Sequence, residues 1–248
     1  MIELKSKREI EIMAEAGLVM KQVFASIEPM VKPGVTTREL DEAAEKIIRG
    51  AGAKPAFKGY RNFPATACIS VNEQVVHGIP GPRILKKGDI LSFDCGVLLQ
   101  GYNVDAARSW AVGTVSEVHA KLIRTARDSF LAGLDAYKPG SRIGDLSSAI
   151  QQCIESAGFQ VVRDFVGHGI GKQIHEDPQV PNYGKPGRGA RIECGLCLAI
   201  EPMVTEGHYA VEMLEDGWTV VTQDKKMASH YEDTIVFTEQ GVVNLTCD

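Results

Sequence analysis

Five side chains in this 248-residue sequence have types and placements that suit hydrolytic or metal chemistry: Asp94, Asp105, His168, Glu201 and Glu232. The first two lie in apolar-rich runs, 90–99 and 102–111, joined by Gln100-Gly101, which reads as a β-hairpin with a two-residue turn. That turn sets Gly96 opposite Asp105 and Asp94 opposite Ala107, so the two carboxylates share a face as diagonal neighbours. Ser92, Gly96 and Ala107 leave room beside them, while Leu91, Phe93, Cys95, Val97, Leu99, Val104, Ala106 and Trp110 turn an apolar face toward helices. Two carboxylates held this close repel unless one is protonated or a cation sits between them. An acid/base dyad, a glycosidase pair and a metal site all fit the hairpin, and so does a solvated sheet face carrying two unrelated acids.

The rest of the chain favours the metal. Glu201 is embedded in Leu198-Ala-Ile-Glu-Pro-Met-Val204, where an uncompensated carboxylate is costly, and Glu232 opens the apolar run that ends at Phe237. His168 stands among Gly167, Gly169 and Gly171, where backbone can approach a ligand closely, and His175 follows seven residues later. A lone histidine is more often structural, but a second glycine-flanked one, His77 before Gly78, lies in the other part of the chain. Four acids and one imidazole projecting from buried strands are best satisfied by two divalent cations. Such ligation suits Mn, Fe(II), Co or Zn without choosing among them.

These residues need a frame. Apolar positions from Ile10 to Ile27 recur at helical spacing and stop at Pro29 and Lys32-Pro33-Gly34; a second helix follows Thr36-Thr37 and ends at Gly50-Ala51-Gly52. Val31-Lys-Pro-Gly34 is then echoed by Tyr137-Lys-Pro-Gly140, and at that offset of 106 residues, eight of the 22 positions from 31 to 52 are identical. Leu91-Ser-Phe-Asp94 lines up with Leu198-Ala-Ile-Glu201 at an offset of 107, after Gly88 and Gly195. The chain therefore reads as one domain over 1–248 built from two pseudosymmetric halves, about 5–110 and 115–240, each with two helices and then antiparallel strands. The fold class is α+β, with helices covering an antiparallel sheet and an acid-tipped strand from each half meeting at the crevice between them.

Composition excludes several alternatives. Lys plus Arg number 27 against 32 Asp plus Glu, a formal charge of −5 with the signs mixed, which gives no basic stripe for nucleic acid. The longest uncharged stretch, 62–72, is 11 residues and contains Pro64, so no membrane span is expected, and the charged N-terminus does not read as a secretory signal. Six cysteines are too sparse for a disulfide scaffold and suggest a reduced, cytoplasmic setting. The pair Cys194 and Cys197 reads as two buried thiols ahead of a redox motif.

The ligand spacing, together with Ser70-Val-Asn-Glu-Gln-Val-Val-His-Gly-Ile-Pro80, Gly167-His-Gly-Ile-Gly171 and Ile200-Glu-Pro-Met203, resembles the type I methionine aminopeptidases of the pita-bread, creatinase-like fold, along essentially the whole chain. The resemblance implies that Asp94 binds one metal through both oxygens. Asp105 and Glu232 bridge two ions, and His168 and Glu201 complete the second. It implies removal of the initiator methionine by a metal-bridging hydroxide when the second residue is small, with Glu201 also a proton shuttle and His77 and His175 holding the peptide and its oxyanion. A methionine pocket then falls on Phe57, Tyr60, Phe63, Cys68, Ile174 and Trp218. Phe57, Phe63 and Ile174 stand where cysteine, tyrosine and phenylalanine are commoner, and His230 and Asp233 flank the run to Glu232 where glutamine and histidine are usual. The last two bring an extra imidazole and an extra acid near a bridging ligand, with an expected effect on metal tuning.

The interval from Glu201 to Glu232 is too short for the helical insertion of type II enzymes, and the helix start near Lys7 leaves no space for a metal-binding N-terminal extension. The substrate implied is a peptide or nascent-chain N-terminus, with transient ribosome contact, a monomeric enzyme, and no nucleic-acid or membrane requirement. Because Ile2 is bulky, Met1 is expected to be retained. The competing functions are a Xaa-Pro dipeptidase on the same fold and a non-catalytic binding protein; the latter's relatives lose ligands, and none is lost here.

Overall fold

The structure is a computed structural model describing residues 1–247. Four long helices pack against antiparallel strands: α1 (Lys7–Ile27), α2 (Thr37–Gly50), α3 (Glu117–Asp135) and α4 (Ile143–Ser156). Ser6 caps α1 and Thr36 caps α2, each in a reciprocal box with a glutamate three residues on, Glu9 and Glu39. The helix predicted from Lys7 ends at Ile27, and one 3₁₀ turn, Glu28–Met30, absorbs Pro29.

The hairpin forms in the predicted register. Strands Ile90–Leu99 and Tyr102–Ala111 pair Gly96 with Asp105 and Asp94 with Ala107. Gln100 and Gly101 both take positive φ (48° and 86°), the geometry of a turn whose twist matches that of the strands. The apolar face packs under α1, where Phe24 meets the rings of Phe93 and Trp110 edge-on at 6.2 and 6.1 Å. Met13, Ala16, Met20, Val23 and Ile27 of α1 join Leu91, Phe93, Cys95, Val97, Val104 and Ala106 in that core, each large side chain contributing about 1.5–3 kcal/mol by burial.

A second core lies under α3 and α4, from Leu122, Phe130, Leu146, Ile150 and Ile154 against Leu198, Ile200, Ile235 and Phe237. The glycines matched by the 106- and 107-residue offsets share their conformations: φ is 96° at Gly34 and 91° at Gly140, 76° at Gly52 and 84° at Gly158, 99° at Gly88 and 88° at Gly195. The two halves are thus alike in backbone where the sequence repeats. The symmetry is imperfect at the acids, because Asp94 sits mid-strand whereas Glu201 lies just beyond strand Cys197–Ile200 and precedes Pro202.

Helix and sheet arranged in this way give the α+β architecture expected, with helices covering antiparallel strands. Among the described residues, no helix is long and apolar enough to cross a membrane. The region between Glu201 and Glu232 holds strands Met203–Thr205, Val211–Met213, Val220–Thr222 and Ala228–His230 and no helix. The six cysteines are unpaired: Cys194 is exposed, and burial pushes the Cys197 thiol up to about 12. A thiol so reluctant to ionise does not suit redox exchange, and only Cys197 of the expected buried pair is buried.

Candidate active site

The outer hairpin strand, Tyr102–Ala111, joins the two halves along one seam. Ala107 and Glu232 exchange backbone hydrogen bonds of 3.1 and 3.0 Å. The Thr234 hydroxyl accepts from the Asp105 amide and donates to the Asp105 carbonyl, both at 2.8 Å. Ser109 does the same for His230, accepting from its amide at 3.0 Å and donating to its carbonyl at 2.7 Å. Asp105 of one half is thereby fixed beside Glu232 of the other, and neither Thr234 nor Ser109 has a sequence signature beyond its spacing from an acid.

Strand Gly167–Gly169 adds His168. Substituting Gly167 or Gly169 would drive a Cβ into the Ala199 or Asp177 carbonyl respectively, so the glycines flanking this histidine are required by close backbone approach. The ring's Nδ1 lies 2.9 Å from the Gly169 carbonyl, which makes Nδ1 the donor and leaves the Nε2 lone pair facing the acids. Glu201 Oε1 is 3.7 Å from that Nε2.

The result is a cluster of four acids and His168 in the lining of one cavity, with Asp94, Asp105, His168 and Glu232 buried and Glu201 half-buried. Asp94 Oδ1, Asp105 Oδ1 and Glu232 Oε1 are buried without a hydrogen-bond partner. Burial raises the pKa of all four carboxyls, and mutual repulsion raises Asp105, Glu201 and Glu232 further; a proton shared with Asp105 offsets part of the rise at Asp94. Burial also holds His168 down to about 3, as a neutral donor. Donor atoms of Asp105, His168 and Glu232 lie within 4.8 Å of one another. Orphaned carboxylate oxygens around a neutral imidazole are what divalent cations satisfy, so the residues fit such ions.

Above the acids, the cavity of about 170 Å³ is walled by Phe57, Tyr60, Arg61, Phe63, Cys68, His77, His175 and Trp218. It is smaller than the roughly 300–1,000 Å³ of pockets that enclose drug-sized ligands, a size that suits one side chain. Phe63 and Trp218 meet edge-on with centroids 5.0 Å apart. A Cβ on Gly96 would crowd Ala56 and the Phe57 ring, which keeps that wall against the hairpin. Ile174 is not in the lining: it is buried in the first core, while its neighbour His175 faces the cavity. Arg61 is in the lining although only its neighbours Tyr60 and Phe63 stood out in the sequence. Arg61 and Asn62 both adopt left-handed backbone, φ 46° and 70°, at the cavity rim.

His77 also has positive φ (60°), an uncommon conformation outside glycine that turns its ring toward Trp218 and Phe165. Burial, and then the nearby His175, lower its pKa to about 4, so it is neutral at pH 7. His175, lowered mainly by burial, places Nδ1 2.9 Å from the Tyr60 hydroxyl. Of the two unusual residues near Glu232, His230 faces the cluster, its Nε2 3.6 Å from Glu232 Oε2. Asp233 points away and accepts from Arg108 (2.7 Å), Thr246 (2.6 Å) and Asn244 (3.0 Å), because adjacent residues of an extended chain face opposite sides. The extra acid expected at the metal is therefore on the far side of the sheet.

The family model for metallopeptidase family M24 matches residues 11–239. A methionine aminopeptidase of Clostridium perfringens is 52% identical over 246 residues, covering 99% of both chains. Methionine aminopeptidase 1 of Bacillus subtilis is 48% identical, again over 99% of both. The crystal structure of a Thermotoga maritima methionine aminopeptidase superposes with a TM-score of 0.98 at 44% identity over the whole of each chain. A prolidase from Pyrococcus furiosus gives 0.80 at 25% identity, and this chain covers only 65% of it.

Proposed function

Since the chain belongs to metallopeptidase family M24 and within it to the type I methionine aminopeptidases, we propose that its buried cluster removes the N-terminal methionine of peptides whose second residue is small. It is a metal-dependent hydrolase, and the Xaa-Pro dipeptidase reading is not favoured. The observation that carries the residue assignment is the set of partnerless carboxylate oxygens at the floor of a narrow aromatic cavity.

Asp94, Asp105, His168, Glu201 and Glu232 would hold two divalent ions. When bound, such ions supply Lewis acidity, lowering the pKa of water and stabilising negative charge as it develops on a carbonyl oxygen. Glu201 is the proton carrier: its carboxylate would take a proton from the attacking water and pass it to the departing amine. The 2.9 Å bond between Tyr60 Oη and His175 Nδ1 holds the ring; in the tautomer in which the hydroxyl donates, His175 Nε2 carries hydrogen and can donate to the peptide oxygen. His77, also neutral, donates to the scissile peptide from the opposite wall. Phe57, Tyr60, Phe63, Cys68 and Trp218 enclose the methionine side chain, whose thioether makes favourable contacts with ring edges; Ile174 backs this wall from the core.

One domain of two related halves carries this single site. The enzyme works as a monomer in the bacterial cytoplasm on nascent-chain N-termini, with transient ribosome contact and no need for nucleic acid or membrane. A Met-Xaa-Ser peptide series tests the function, with hydrolysis expected for Gly, Ala or Ser at the second position, little for Leu or Lys, and none in saturating chelator. Preferential turnover of Xaa-Pro dipeptides, or full activity in chelator, would overturn it.

A further inference from the structure

His230 is the one histidine beside the acid cluster that the reaction above does not use. The residue is 1% exposed, and Nε2 has no hydrogen-bond partner. Donor atoms of Asp94, His230 and Glu232 lie within 4.8 Å of one another, the same limit that groups Asp105, His168 and Glu232. Three donors about 2.0–2.2 Å from a shared ion stand roughly 3.0–3.6 Å apart, so each group would draw together by no more than about 1–2 Å on binding, the same limit for both. Glu232 is common to both. The imidazole is also held in place: Ser109 binds the His230 backbone on both sides and is itself 2.7 Å from Ser92 Oγ, on the strand that carries Asp94.

We propose that His230 is a metal ligand, its Nε2 joining Asp94 and Glu232 so that each of the two ions receives one imidazole. The proposal rests on the two-ion reading given above. Its chemical consequence follows from ligand softness. An imidazole at the Asp94 end shifts that position toward cobalt, iron(II) or zinc relative to manganese or magnesium, which carboxylates alone serve well.

The test is the proton NMR spectrum of the full chain loaded with Co(II), in which each coordinated imidazole contributes one strongly shifted N–H signal that disappears in D₂O. Two such signals are expected in the wild type, and His230→Gln should remove one of them while the other persists. Calorimetric titration of His230→Gln should show one of two cobalt sites weakened about tenfold or more, with a smaller change for manganese. A wild-type protein that binds two cobalt ions but shows one signal, unchanged in His230→Gln, overturns the role of His230 and leaves the two-ion site intact. Binding of fewer than two ions with no shifted signal overturns both. The wild-type count does not depend on a variant folding, and His230→Asn, checked by circular dichroism, repeats the comparison.

Discussion

At the scale of single residues, the four acids of the cluster are legible because charge in apolar strands demands a partner, and period-two alternation across the hairpin puts Asp94 and Asp105 on one face. Asp94→Asn keeps the shape and removes the charge, so turnover of Met-Ala-Ser should fall by at least about 10³-fold while the circular dichroism spectrum is retained; wild-type rates in this variant would remove Asp94 from the site. The reverse side of the same strands was not legible. Arg108 and Asp233 lie 125 residues apart, yet their side chains meet at 2.7 Å, with the guanidinium also donating to the Ala107 and Glu232 carbonyls and lying between the rings of Phe24 and Tyr231. No local pattern announces a pair that exists only once the halves have docked. Arg108→Met should cost about 3–5 kcal/mol, because it leaves the fully buried Asp233 carboxylate without its cation, whereas adding Asp233→Asn should recover most of that loss. Equal losses in the single and double variants, measured by urea unfolding, would show that the ion pair itself is not what stabilises the seam.

At the scale of elements, the helix starts, the hairpin and the repeated turns followed from caps, a Gln-Gly turn and glycines that take positive φ in both halves. The short strands of the second half were less distinct, since runs of three or four residues such as Met203–Thr205 and Ala228–His230 pair across long separations and carry little periodicity of their own. Ile174 shows the same limit: only the packed chain decides which of two adjacent residues turns to the cavity. One element-level contact has a measurable signature. Glu9 closes the α1 capping box and also accepts from the Tyr102 hydroxyl at 2.6 Å, joining the start of the helix to the hairpin. That hydroxyl bond, with the Ser6 bonds after it, lowers the Glu9 pKa from 4.5 to about 2. A depressed carboxyl contributes its stability in full above its unfolded pKa and loses it as pH falls through its folded one. The contribution, no more than about 1 kcal/mol after solvent screening, should therefore be present above pH 5 and fade between pH 4.5 and 2. Glu9→Gln should be less stable than wild type at pH 7 and converge with it near pH 2; parallel stability curves across that range would rule out this linkage.

At the scale of the whole molecule, two helix-covered halves enclose a charge problem that neither solves alone. The hairpin brings Asp94 and Asp105, the second half brings His168, Glu201 and Glu232, and all five converge only when the seam at Ala107–Glu232 closes. Without cations, folding must bury four carboxyls whose ionisation it opposes, so part of the stability of the docked state depends on what binds between the halves. The formal charge of −5 is then less a surface property than a local one, since two divalent ions would bring the total to −1. An ion present at about 100 times its dissociation constant adds about 2.7 kcal/mol, and two add roughly 5, which for a chain of this size corresponds to a rise of about 10–20 °C in Tm. Calorimetric scans of the chelated protein should accordingly melt that much lower than scans in cobalt or manganese, and the gap should shrink in Asp94→Asn, which keeps the fold but loses one ligand charge. A melting temperature indifferent to chelator would mean that the halves dock without help from the cluster, and the orphaned oxygens between them would then have to be satisfied by protons alone.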